Sequence, residues 1–141
     1  MNSTGTPSQI VLAEDNPADV GLVTEALREH QVHHELRVIS DGAEALAFID
    51  LLNLDSKLPC PDVLLLDLHL PKHDGGEILK HLHASERCGR MPVVVLTSSD
   101  AGWDRQIGDH NRGVRYFRKP ASLGQFMQLG RIVKEVIDRG R

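Results

Sequence analysis

Basic residues are not in excess: 16 Lys and Arg stand against 20 Asp and Glu, for a formal net charge of -4. That balance gives no support for nucleic-acid binding, which usually shows as a basic patch or a high pI. No stretch approaches the roughly 18 apolar residues needed to cross a bilayer. Met1 to Ser8 is polar and lacks the basic-then-apolar order of a signal peptide. There are only two cysteines, Cys60 and Cys88. They are too few and too far apart to suggest a disulfide framework, so a reduced, cytoplasmic protein is expected. Internal repeats, low-complexity tracts and linkers are also missing. What is there is an ordinary globular composition, 40% apolar and 26% charged over 141 residues, which is one domain by length.

Five short apolar runs alternate with helix-length segments. Ile10 to Ala13 is the first run and Glu35 to Ile39 a weaker second. Val63 to Leu66 and Val93 to Leu96 are nearly continuous aliphatics, as central strands buried on both faces require. Val114 to Phe117 is the fifth. Asn16 can cap a first helix with Pro17 in its first position, and Val20, Val23 and Leu27 recur at helical spacing. Ser40-Asp41-Gly42 opens a second helix, and Gly75-Gly76 precedes a third carrying Ile78, Leu79 and Leu82. Asp100 to Asn111 reads as a weak fourth, with Trp103 and Ile107 its sizeable apolar residues. Ser122 caps a fifth. Asn53 to Pro61 is a long loop. Alternating β and α units of this kind predict a doubly wound α/β fold with a five-stranded parallel sheet.

Ligands of such sheets bind beyond the carboxyl ends of the strands. Glu14 and Asp15 follow strand one, Asp67 follows strand three, and Thr97, Ser98 and Ser99 follow strand four. Lys119 and Pro120 follow strand five. Taken singly, an Asp after a strand is a turn or helix-capping residue and a Lys is a solvated surface charge. The convergence of four strand ends is harder to dismiss. Carboxylates so close repel unless some hold protons or a divalent cation neutralises them. Mg²⁺ takes oxygen ligands, commonly one or two carboxylates with waters and a phosphate. A lysine beside it suits phosphate, and a carboxylate can itself be the nucleophile toward phosphorus.

With those positions in hand, the chain from about Gln9 to Val136 resembles the receiver domains of two-component response regulators. Val11-Leu12-Ala13-Glu14-Asp15-Asn16 looks like the family's acidic pair. Leu64-Leu65-Leu66-Asp67-Leu68-His69-Leu70-Pro71 looks like its phosphorylation strand, with Asp74-Gly75 after it. Val94-Val95-Leu96-Thr97-Ser98 and Tyr116-Phe117-Arg118-Lys119-Pro120 resemble its hydroxyl and Lys-Pro segments. The resemblance implies a (βα)5, flavodoxin-like sheet of order 2-1-3-4-5. It implies that Asp67 accepts a phosphoryl group from a sensor histidine kinase, in a reaction requiring Mg²⁺. Glu14, Asp15, Asp67 and the backbone carbonyl of His69 would hold the metal. Lys119 and Thr97 would contact phosphoryl oxygens, and Tyr116 would turn inward with Thr97. The Lys119–Pro120 bond would be cis.

His69 stands where Asn or Met is frequent in the family, and with Ser99 it is expected to tune dephosphorylation. Glu14 to Asp19, the loop ending Pro59-Cys60-Pro61 and the lack of an output domain look like regulators that partner phytochrome-type kinases. Within that group a homodimer through the fourth helix, fifth strand and fifth helix is common, here with Trp103, Leu129, Ile132 and Val136. The expected organisation is a flexible lead-in over 1–8 and a receiver domain over 9–141, with no membrane segment. Such a protein is not an enzyme beyond turning over its own phosphate. A phosphate sink without onward signalling fits the same residues. A Mg²⁺-dependent phosphatase on a similar sheet wants a second Asp two residues past Asp67, where His69 stands. His33, His34, His81 and His83 have no metal-ligand spacing and read as surface residues.

Overall fold

The computed structural model describes residues 5–98 and 114–140. Five parallel strands lie in the order β2-β1-β3-β4-β5: β1 Ser8–Ala13, β2 His34–Ile39, β3 Val63–Asp67, β4 Val93–Thr97 and β5 Val114–Arg118. Helices α1 Pro17–Glu29, α2 Gly42–Leu54 and α3 Gly75–His83 connect the first four, and α4 Leu123–Phe126 and α5 Gln128–Arg139 follow β5. This is the doubly wound sheet the alternating pattern predicts. The weak fourth helix of the sequence reading, with Trp103 and Ile107, lies outside the described residues. So does Ser99.

Every residue of β3 and β4 is buried, because helices cover both faces of the sheet. Period-two alternation divides their side chains between two cores. Ile10, Leu12, Val63, Leu65, Val94 and Leu96 face α1, α4 and α5. Val11, Ala13, Leu64, Leu66, Val93 and Val95 face α2 and α3.

Caps set the starts of the helices. Asn16 Oδ1 accepts from the Ala18 N–H at 2.9 Å and Pro17 takes the first position. Asp41, Asp74 and Ser122 accept from Glu44, Glu77 and Gln125 N–H groups in the same manner. Gly75 is required by a close approach: a Cβ there would lie 2.7 Å from Leu68 Cα.

Several expectations are corrected. Cys60 and Cys88 are not free thiols; they form a disulfide with Cα atoms 5.7 Å apart. Their separation of 28 positions hides this, because the loops before β3 and β4 meet at the same end of adjacent strands. The helix expected from Ser122 is interrupted at Met127, so its capped first turn is separate from α5. Leu129 and Val136, offered as dimer contacts, are buried in the chain's own core, since the wide apolar stripe of α5 packs on the sheet and α1. Ser8 is a buried strand residue rather than part of a lead-in. No described peptide bond is cis, so Lys119–Pro120 is trans, the form that X–Pro bonds favour by about 0.5–1 kcal/mol.

Candidate functional site

Strand register assembles the site. Ala13 pairs with Leu66, and Leu66 with Val95, so the next positions along, Glu14 and Asp67, end neighbouring strands at the same level. Asp67 pairs with Leu96, and Leu96 with Phe117. Leu96 and Phe117 belong to the core under α1. Asp67 and Glu14 therefore point to the α1 face, and so does Lys119, two residues past Phe117. Thr97 and Tyr116 alternate to the other face, where Tyr116 packs against the α2–α3 core.

The ligand oxygens of Glu14, Asp15 and Asp67 all lie within 4.8 Å of one another. Glu14 and Asp67 are buried and Asp15 is exposed, so the cluster opens to solvent on one side. Lys119 Nζ donates to Glu14 Oε1 at 2.7 Å, to Asp19 Oδ2 at 2.8 Å and to Asp67 Oδ2 at 3.5 Å. Its main-chain N–H donates to the carbonyl of Thr97 at 2.7 Å, tying the end of β5 to β4. Thr97 is fully buried, and the N–H of exposed His69 donates to Asp67 Oδ1 at 3.0 Å.

Burial raises the Glu14 pKa, the Lys119 hydrogen bond opposes it, and the charge of Asp67 adds to it; the result is about 7. Burial works against the Lys119 ammonium, but the Asp19 and Glu14 carboxylates outweigh it and hold its pKa above the ordinary value. The lysine therefore stays charged at neutral pH. Its single charge does not balance the carboxylates around it. An all-oxygen, hard donor set with excess negative charge and an open side fits a divalent cation such as Mg²⁺. Glu14, Asp15 and Asp67 are the described residues that would hold it, and no histidine joins the cluster among the described residues.

The sequence reading placed Glu14, Asp15, Asp67 and Lys119 together, and they are together. The His69 N–H reaches Asp67 and the Thr97 carbonyl accepts from the Lys119 N–H, while the Thr97 and Tyr116 side chains lie on the opposite face of the sheet. Asp19 was missed as a site residue. Its signal is local: the Asn16 cap and Pro17 fix where α1 begins, which puts residue 19 in the first turn above the strand ends.

The family model for the response regulator receiver domain matches residues 10–130. Response regulator Rcp1 of Synechocystis is 41% identical over 98 residues, 70% of this chain and 67% of that protein. Among solved structures, the phosphorylated cyanobacterial phytochrome response regulator RcpA superposes with a TM-score of 0.81 at 35% identity, covering 96% of this chain and 97% of that one. The Mn²⁺-bound form of Rcp1 superposes with a TM-score of 0.77 at 34% identity, covering 92% and 93%. Fold and site alike define a receiver of two-component signal transduction. The chain belongs to the response regulator receiver family.

Proposed function

We propose that this receiver accepts a phosphoryl group on Asp67 from a phosphohistidine of a sensor kinase. The observation that carries the reading is Asp67 at the end of a central strand, 3.5 Å from a half-buried lysine and within a cluster of acids. A carboxylate oxygen of Asp67 attacks phosphorus, the P–N bond breaks, and the imidazole nitrogen leaves with the electron pair. Mg²⁺ held by Glu14, Asp15 and Asp67, with the His69 carbonyl, supplies charge neutralisation for the transferring group. Lys119 meets one phosphoryl oxygen with its ammonium. Thr97 donates its hydroxyl to another once transfer is complete.

Phosphorylation adds roughly two negative charges beside Lys119 and Thr97. Those contacts favour one of two arrangements of the loops after β4 and β5, with Tyr116 following Thr97. The surface of β5 and the elements flanking it then changes for a partner or a second copy of the chain. His69 and Ser99 set how water reaches the phosphate, and so its lifetime. The protein turns over no other substrate.

The likeness to Rcp1 and RcpA supports a phytochrome-type kinase as the donor. A receiver served by a sensor kinase would work in the cytoplasm, and no helix among the described residues is long and apolar enough to cross a membrane. The test is phosphoryl transfer from a phosphorylated kinase domain. The wild type takes up label with Mg²⁺ and loses the ability with a chelator, whereas Asp67→Asn folds but is never labelled. Labelling that survives the chelator contradicts the metal's role.

A further inference from the structure

The Lys119 ammonium has three N–H groups and three carboxylate neighbours. Two of these, Glu14 and Asp67, are groups that a cation or a phosphoryl group must engage. The third, Asp19, lies at 2.8 Å and is not part of the acidic trio. Asp19 sits in the first turn of α1, anchored by its own N–H to Asn16 Oδ1 at 3.4 Å. Its side chain is 22% exposed and that of Lys119 is 11% exposed, so the pair is largely shielded from water, where a charge-assisted hydrogen bond is strong.

We infer that Asp19 is a positioning residue for phosphoryl acceptance: it holds the Lys119 ammonium beside Asp67 when a cation has taken Glu14 and a phosphoryl group has taken Asp67. Without it, the lysine has only the reacting groups to lean on. It then follows Glu14 or Asp67 and competes with the cation instead of presenting a donor to the incoming oxygen. The helix start fixes Asp19, so the lysine is directed by a rigid element and not by its own flexible stem. This rests on Asp67 being the acceptor.

The experiment is a double-mutant cycle. Phosphorylation by a small acyl-phosphate donor is measured at saturating Mg²⁺ for wild type, Asp19→Asn, Lys119→Ala and the double variant. Asp19→Asn lowers the rate about fivefold or more in the wild type and has little effect in the Lys119→Ala background. Asp19→Glu, which keeps the charge, restores part of the rate. A second readout is independent of phosphoryl transfer: at saturating Mg²⁺ the Lys119 ¹⁵Nζ ammonium resonance, protected from exchange in the wild type, loses that protection in Asp19→Asn. Equal rate losses in both backgrounds, or an unchanged Nζ signal, overturn the inference while leaving the acceptor assignment standing. A wild type that takes no phosphoryl group overturns both.

Discussion

Glu14 is the residue whose chemistry depends most on its surroundings. An unfolded Glu14 loses its proton near the ordinary value of 4.5, while the folded side chain keeps it up to about pH 7. Between those values the folded state binds more protons than the unfolded one. Metal-free stability therefore falls as pH rises from about 4.5 to about 7, and this contribution is gone above that. A cation binds the ionised form, so its affinity moves the other way. Mg²⁺ affinity followed by calorimetry rises as pH increases through about 7 and then levels, with a proton released on binding below that point. Glu14→Gln removes the pH step along with a ligand. Glu14, Asp15, Asp67 and Lys119 were legible in the sequence because each stands within two residues of the end of an apolar run, and strand ends are where such sheets bind ligands. Asp19 was not. It is a helix residue whose partner is 100 positions away. Only register and helix direction bring the two together.

At the scale of elements, α2 shows how an end is secured at a distance. Arg87 bonds its last turn and the loop beyond it: Nη1 donates to the Leu52 carbonyl at 2.7 Å, and Nη2 donates to those of Ser56, at 3.1 Å, and Leu58. A cation at a helix C-terminus also complements the macrodipole. Arg87→Ala is expected to destabilise by about 1–3 kcal/mol, read from urea unfolding. The neighbouring Cys60–Cys88 bond ties the same loop to the segment before β4. Reduction is expected to lower stability by about 2–4 kcal/mol, seen as a lower melting temperature with reductant. Cys60→Ser should melt there with or without reductant. These ties could not be read from the sequence, since neither Arg87 nor the cysteine spacing says which loops share an edge. The caps at Asn16, Asp41 and Ser122 could, because capping depends on residues within one turn. The Met127 interruption could not, as nothing at that position breaks helical spacing.

For the whole molecule, the order of apolar runs and helical segments was enough to give the doubly wound class. The order 2-1-3-4-5 came with the resemblance and matches the observed sheet. What composition could not separate was core from interface on α5: Leu129 and Val136 belong to the fold. A copy-to-copy contact would have to use other positions. Phosphoryl acceptance is then a question of whether one edge of this sheet makes a single carboxylate reactive. Borohydride reduction after phosphorylation converts an aspartyl phosphate to homoserine, which mass spectrometry locates in the chain. Homoserine at position 67, formed with Mg²⁺ and absent after chelation, is the predicted result. Its appearance at Asp15 or Asp19, or no conversion in fully folded protein supplied with Mg²⁺ and donor, would contradict it.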